Sequence, residues 1–98
     1  MRIQVERSGG FAGLSRRVSV DTEKLAPEEA REIEARVRAL DLDSAGRAAA
    51  SGEALPDAFQ YDVVIEDGSG RREIRLRDPT PPGFQDLFRQ MLELQRRS

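Results

Sequence analysis

The sequence contains no histidine and no cysteine. These residues supply the usual general base, the common nucleophile–base pairs and most zinc ligands, so their absence excludes the commonest catalytic and metal centres. A site built only from carboxylates remains chemically possible, because some glycosidases need no more than two. Asp41 and Asp43 could be interpreted as a metal pair, but a helix end followed by a polar loop explains this short match better. The sequence therefore predicts a protein that is not an enzyme and holds no cofactor or metal of its own.

Long apolar runs are missing as well, and none approaches the roughly 20 residues that a membrane-spanning helix requires. The first ten residues alternate apolar and polar types and lack the apolar core of a secretory signal, so we expect a cytoplasmic protein. The 16 basic and 18 acidic side chains are interspersed, which argues against a nucleic-acid-binding surface. With 98 residues and no disulfide available, the chain is expected to form one domain over residues 1–98, monomeric when free.

Two β-hairpins are predicted from residues that alternate between apolar and polar types. The first pairs residues 2–7 with residues 14–20, and the second pairs residues 61–66 with residues 71–77. The Asp-Gly pair at residues 67–68 is a strong signal for the turn of the second hairpin. Each hairpin then has one apolar face and one charged face, which is typical of a sheet covered on one side.

Two helices are predicted to cover the apolar face of this sheet. The first begins at Pro27, with acidic residues in its first turn, and the second begins at the cap Thr80-Pro81. The apolar stripe of the second helix could form a groove for a partner, but covering the sheet is the better explanation. This stripe comprises Phe84, Leu87, Phe88, Met91 and Leu94.

The segment at residues 41–56, rich in alanine, glycine and serine, is expected to be a mobile linker between the first helix and the third strand. The predicted fold is therefore α+β with the order ββαββα. It has a four-stranded, mainly antiparallel sheet and two helices packed on one face.

The connection inside the first hairpin is longer and richer in glycine than a hairpin requires. Its glycines permit positive φ and a close approach of the backbone to another surface. Phe11 is either an anchor for a pocket on a partner or a plug that closes the open end of the core, and the residues alone leave both alternatives open. We call this segment the tip; it comprises Ser8, Gly9, Gly10, Phe11, Ala12 and Gly13.

Four segments of the chain carry a resemblance to a known family. They are the opening MRIQVERSGGFAGLSRRVSVDTEKL, the Pro-Glu-Glu start of the first helix, the entry Pro56-Asp57-x-Phe59-x-Tyr61 to the third strand, and the closing amphipathic helix. Together these segments resemble emfourin, a family of small bacterial inhibitors of thermolysin-like metalloproteases. The most specific element is the run at residues 7–13. The resemblance implies a thermolysin-like metalloprotease as the partner.

The resemblance also favours Phe11 as an anchor, because proteases of this class prefer a bulky apolar side chain just after the cleaved bond. The tip is therefore predicted to enter the protease cleft, and the neighbouring segment at Pro56, Asp57 and Phe59 is predicted to touch the protease beside it. Asp57 could instead simply initiate the turn after Pro56.

Three arginines flank the tip, and each has two explanations. Arg7, Arg16 and Arg17 could pair with acidic side chains around a protease cleft and steer the encounter. For Arg16 and Arg17 individually, an ordinary charged strand surface is the better explanation. An alternative of another class is a regulatory or scaffold module that binds a peptide along an exposed sheet edge.

The strand directions also predict where the loops lie. The first helix runs back toward the tip, so residues 41–58 and the start of the third strand lie at the same end of the sheet as the tip. Residues 78–82 return to that end, whereas the turn at residues 67–70 lies at the opposite end. Two or three loops are therefore expected to converge beside the tip.

Overall fold

A computed structural model of the protein describes residues 1–9, 15–51, 58–78 and 80–97. Four of the elements in these ranges are strands, and all four join one sheet in the spatial order β2-β1-β3-β4. Every neighbouring pair is antiparallel. The strands are β1 (Arg2–Gly9), β2 (Arg16–Asp21), β3 (Phe59–Asp67) and β4 (Gly70–Arg77).

Both predicted hairpins are present as neighbouring strand pairs, and β1 joins them by pairing with β3. In the second hairpin, Asp67 lies opposite Gly70 and the turn is formed by Gly68 and Ser69. The Asp67 carboxylate accepts hydrogen bonds from the Ser69 backbone N–H at 2.8 Å and from the Ser69 hydroxyl at 2.6 Å. The α+β class and the four-stranded antiparallel sheet are therefore confirmed.

One face of the sheet forms the floor of the core. Val5 of β1 lies opposite Val18 of β2 and Val63 of β3, and all three side chains are buried. Residues at alternate positions extend this apolar face along each strand, as the period of two requires. The buried strand residues are Ile3, Val5, Val18, Val20, Tyr61, Val63, Ile65 and Leu76. We call the opposite, charged face of the sheet the open face.

Two helices cover the core face much as the sequence predicts. Helix α1 (Pro27–Ala39) starts with proline at its first position and buries Ile33 and Val37. The C-terminal helix, which we label α3, spans Phe84–Arg97. All five apolar residues of its predicted stripe are buried, and Phe84 and Met91 are completely inaccessible to solvent. The stripe is core, and its interpretation as a partner groove is wrong.

Helix α3 begins later than the Thr80-Pro81 cap predicts. Gly83 has φ of +88°, a left-handed conformation that a right-handed helix does not contain. The Pro81 carbonyl instead accepts a hydrogen bond from the Phe84 N–H at 3.1 Å, which closes a turn before the helix. Gly83 also lies beside the end of α1, because a Cβ at this position would be 3.6 Å from Leu40 Cδ2.

A third helix, α2 (Leu42–Ser51), occupies most of the segment that the sequence predicts to be a linker. The sequence interpretation predicts no helix in this segment, and α2 packs against β4. Asp41 caps the helix by accepting a hydrogen bond from the Ser44 N–H at 3.2 Å. Gly46 lets the helix approach the sheet, since a Cβ there would lie 3.1 Å from Ile74 Cγ2. The observed order is therefore ββααββα, in which α2 is added to the predicted sequence of elements.

Candidate functional site

All four strands have an end at one end of the sheet, which we call the tip end; β2 begins there at Arg16, opposite Arg7. Gly9, the last residue of β1, lies opposite Phe59, the first residue of β3. Gln60 in turn lies opposite Arg77, the last residue of β4. The turn at residues 67–70 is at the other end of the sheet. The predicted position of the start of β3 and of the end of β4 at this end is therefore confirmed. The prediction that all of residues 41–58 lie here is wrong, because Asp43 pairs with Arg72, which is close to the turn at the other end.

Gly9 is the residue at which the tip leaves the sheet. Its φ is +86°, in the left-handed region that a side chain with a Cβ adopts only under strain. A Cβ at this position would also lie 3.0 Å from the carbonyl oxygen of Ala58. Glycine is therefore required here for two reasons, a positive φ and the close approach of the backbone that enters β3.

The start of β3 is fastened to the residue that follows β4. The Phe59 N–H donates to the Asp78 carboxylate at 3.3 Å, and the Asp78 N–H donates to the Phe59 carbonyl, also at 3.3 Å. These two bonds fix the position at which the chain enters the sheet. The backbone beside Gly9 is therefore held from the β4 side as well as by its pairing with β1.

The guanidinium group of Arg7 packs against two aromatic rings at the tip end. Its guanidinium carbon is 4.6 Å from the centre of the Phe59 ring and 5.4 Å from the centre of the Phe88 ring, both within the range of cation–π contacts. Tyr61 lies edge-on to Phe84 and Phe88, with ring centres 5.0 Å and 5.7 Å away. The rings beneath Arg7 are thus part of the packed core and form a firm support for its charged group.

The Tyr61 hydroxyl, on the same cluster, accepts a hydrogen bond from Gln85 Nε2 at 3.0 Å. Because Tyr61 is only 2% exposed, this bond satisfies a polar group that would otherwise be buried without a partner. The aromatic cluster thus joins β3 to α3 at the tip end of the core.

The other two arginines that flank the tip lie on opposite faces of β2. Arg17 is on the open face, where its Nε donates to Glu6 at 2.9 Å. Arg16 is on the core face, directly opposite Arg7. Both Arg16 and Arg17 are exposed. Arg17 therefore fits the explanation of an ordinary charged strand surface. Arg16 does not have such a counter-charge opposite it, because it faces Arg7.

Three of the predicted contact residues are described, and the structure brings them together. Gly9 is paired with Phe59, and Ser8 is paired with Gln60, the next residue of β3. The alternation along β1 places Ser8 on the open face. Phe59 is half-buried and its ring contacts Arg7. The remaining predicted contacts lie outside the described residues; they are Gly10, Phe11, Ala12, Gly13, Pro56 and Asp57.

The aromatic support of Arg7 is a feature that the sequence interpretation missed. A signal was present, because Arg7 continues the alternation of Ile3 and Val5 and must therefore share their face of the sheet. The sequence interpretation treated Arg7 only as a charge beside the tip. Its contact with Phe88 depends on how α3 packs across the sheet, which the alternation does not specify.

The described residues contain no cluster of three or more side chains suited to metal binding. No three acidic side chains converge in the described ranges, and the whole sequence lacks histidine and cysteine. Asp41 and Asp43 do not form the metal pair considered above, since Asp41 caps α2 and Asp43 pairs with Arg72 of β4. The hydrogen bonds from Ser69 lower the pKa of Asp67, but this carboxylate is exposed and lies at the end opposite the tip. Within the described part of the chain, no helix has the length and apolar character needed to cross a bilayer.

Comparison with known proteins gives one match. A sequence model of the family described as Emfourin matches residues 5–92, which is most of the chain. No curated protein and no solved structure matches it. The matched region includes the end of β1, the tip, the entry to β3 and the greater part of α3.

Proposed function

We propose, from the premise that this chain belongs to the Emfourin family, that it is an inhibitor of a thermolysin-like zinc metalloprotease. The tip at residues 8–13 enters the active-site cleft and the segment at residues 56–59 contacts the protease beside it. The inhibitor is a cytoplasmic monomer before it binds, and neither nucleic acid nor a membrane takes part. Inhibition results from blocking access to the cleft.

The observation that best supports this proposal is the pairing of Gly9 with Phe59. It brings the point where the tip leaves the sheet next to the point where the second segment enters it. A projecting loop with a second loop beside it can fill a cleft and also cover its rim, which is the common anatomy of a specific interface. Phe11 provides the anchor in this arrangement, because a large apolar ring can fill a pocket on the protease.

The rigid base at the tip end also supports an inhibitory role. A loop whose ends are held in place loses less conformational freedom on binding, so more of the contact energy becomes affinity. Gly9, the two hydrogen bonds between Phe59 and Asp78, and the aromatic rings that contact Arg7 fix the strand residues from which the tip and the second segment extend.

The sheet-edge alternative has less support at β2. Ser19 of this edge strand donates its backbone N–H to Gln95 Oε1 of α3 at 3.1 Å. An incoming peptide strand would have to displace that bond to pair there, because an edge offers affinity mainly through its unpaired backbone groups. The edge of β2 is thus partly closed by a side chain of the same protein.

The proposal is tested by mixing the purified chain with thermolysin-like and serine proteases and measuring residual hydrolysis of a small peptide substrate. We expect stoichiometric loss of activity in the thermolysin-like group and none in the serine group. Added zinc is the control for mechanism, because blocking the cleft is insensitive to zinc whereas chelation is reversed in proportion to its concentration. Full activity of every thermolysin-like protease at excess inhibitor would overturn the proposal.

A further inference from the structure

Arg7 and Arg16 form a like-charged pair at the base of the tip. They face each other across β1 and β2 on the same face of the sheet. Like charges in directly opposite positions destabilise an antiparallel pair. Among the described residues, neither arginine forms an ion pair with a carboxylate.

Other charges on the strands are compensated within the chain. Glu6 and Asp62 are also a like-charged pair facing each other, but Glu6 bonds to Arg17 and Asp62 bonds to Arg75, each at 2.9 Å. The Glu6–Asp62 pair has the same cross-strand geometry as the Arg7–Arg16 pair, but each of its two members has its own counter-charge.

Several other strand arginines lie beside carboxylates. Arg71 pairs with Glu73 at 2.9 Å, and Arg72 pairs with Asp43 of α2. Arg2, at the far end of β1, is flanked across the sheet by Asp21 and Glu66. Arg7 instead has Arg16 on one side and Tyr61 on the other. Arg7 and Arg16 therefore place two positive charges on adjacent strands at the tip end.

Arg7 is also held in place without a carboxylate. Its guanidinium rests on Phe59 and Phe88, and the residue is half-buried. A planar guanidinium on an aromatic face keeps its edge N–H groups available to an acceptor, and it offers a fork of donors that matches a carboxylate. Arg16 is exposed on the adjacent strand at the position directly opposite Arg7, so both residues offer their donors from the same face of the sheet.

We propose that Arg7 and Arg16 together bind a carboxylate side chain of the partner protease, at the rim of its cleft. This inference rests on the proposed inhibitory function and adds the chemistry of one contact. An anion placed between the two guanidinium groups relieves their mutual repulsion, so the arrangement that destabilises the free chain favours the complex. The positive charge also speeds the encounter with an acidic rim in a manner that salt suppresses.

The repulsion is tested on the free chain with Arg16→Gln, which leaves the packed Arg7 intact. We expect the midpoint of thermal unfolding to rise by about 1–5 °C at low salt. This gain should fade near 1 M salt, where the Debye length is about 3 Å. Arg17→Gln is the matched control, since it removes a neighbouring arginine of the opposite face that has a partner, and its midpoint should not rise. Failure of Arg16→Gln to exceed both the control and the unaltered chain would overturn the inference.

The carboxylate preference is tested without any protease, by replacing chloride with acetate at constant ionic strength. The Nε–H signals of the arginines are followed by NMR. We expect saturable shifts at Arg7 and Arg16 and smaller ones at Arg17, whose guanidinium is already occupied by Glu6. Equal shifts at all three would mean that the pair has no special affinity for a carboxylate, and the inference would be wrong.

The role in inhibition is tested with a thermolysin-like protease that the unaltered chain inhibits. Arg16→Gln should weaken inhibition roughly tenfold and reduce its salt dependence, Arg16→Lys should restore part of the loss, and Arg17→Gln should change neither. Equal losses for Arg16→Gln and Arg17→Gln would indicate a general effect of net charge and overturn the inference. If the unaltered chain inhibits no such protease, the proposed function fails, while the unfolding and acetate measurements still decide whether the arginine pair binds a carboxylate.

Discussion

Gly9 of β1 lies directly opposite Phe59 of β3, and a Cβ at Gly9 would lie only 3.0 Å from the carbonyl oxygen of the residue before Phe59. The exit of the tip and the entry of β3 are therefore in direct backbone contact. A change in one segment shifts the other, because the packed sheet leaves no room between them. This contact makes Gly9 the first residue to test.

Gly9→Ala should destabilise the protein by about 1–3 kcal/mol and weaken inhibition. The lower part of this range is the strain of a Cβ at positive φ, and the displacement of the Ala58 carbonyl adds to it. Urea unfolding and an inhibition constant measure the two effects. Gly68→Ala is the control, because a Cβ there would meet no atom within 4 Å, and its stability should change by no more than about 0.5 kcal/mol. Equal stability losses for the two variants would contradict this account of Gly9.

Phe11→Ala should weaken inhibition at least tenfold, which is about 1.4 kcal/mol, the low end for losing a buried aromatic anchor. Its melting temperature should remain close to that of the unaltered chain, because an anchor is exposed before it binds. The measurement is an inhibition constant together with a thermal unfolding scan. A large fall in melting temperature would favour the alternative that the ring plugs the end of the core.

Phe59→Leu should lower stability by about 1 kcal/mol and weaken inhibition, because Arg7 loses the nearer of its two aromatic faces. Phe59→Tyr keeps the ring and should retain both stability and inhibition. Chemical unfolding and inhibition assays on the two variants separate the contribution of the aromatic face from that of apolar bulk. If the leucine and tyrosine variants behave alike, the aromatic face does not support Arg7.

Ser69→Ala and Arg71→Ala should leave inhibition unchanged, because both residues lie at the end of the sheet opposite the tip. Substitutions at Gly10 or Asp57 should weaken it, since these residues belong to the two segments expected to meet the protease. Inhibition constants for the four variants decide the matter. If the variants of the distal turn were the sensitive ones, the binding end would have to be reassigned.

The turn at Asp67 should respond to acid in a defined direction. Hydrogen bonds from the Ser69 side chain and backbone lower the Asp67 pKa from its ordinary value of 3.8, so the folded state favours the ionised carboxylate. The resulting contribution to stability is present above the unfolded-state pKa and is lost as pH falls through the lower folded-state pKa. Ser69→Ala should raise the Asp67 pKa, measured by following its carboxylate signal in an NMR titration. An unchanged pKa would show that the hydroxyl bond is unimportant in solution.

The strands and the helices α1 and α3 could be predicted from the sequence because the residue patterns that indicate them are local. Alternation along β1 and β3 identifies Val5 and Val63 as core residues, and the helical stripe of α3 identifies Phe88 and Met91. These periods depend only on backbone geometry and on which side chains avoid water. They hold wherever the element is finally packed.

Helix α2 was missed because its sequence favours a linker by composition. A segment rich in alanine, glycine and serine presents few large apolar residues, and within the described part of α2 Leu42 is the one apolar side chain that is fully buried. Gly46 reads locally as a weak point in a helix, whereas in the structure it permits close packing against Ile74. Local signals for the helix were present in the Asp41 cap and in the alanines, but the packing against the sheet is tertiary and no local pattern specifies it.

The sequence by itself determined the α+β class, the two hairpins, the apolar side of each strand and the lack of histidine and cysteine chemistry, because each follows from residue type and short-range spacing. Only the tertiary structure decided that β1 pairs with β3, that Gly9 therefore meets Ala58 and Phe59, and that Arg7 rests on Phe59 and Phe88 while facing Arg16. These contacts at the tip end depend on strand order and on the packing of α3 across the sheet, because the residues that form them come from distant parts of the chain.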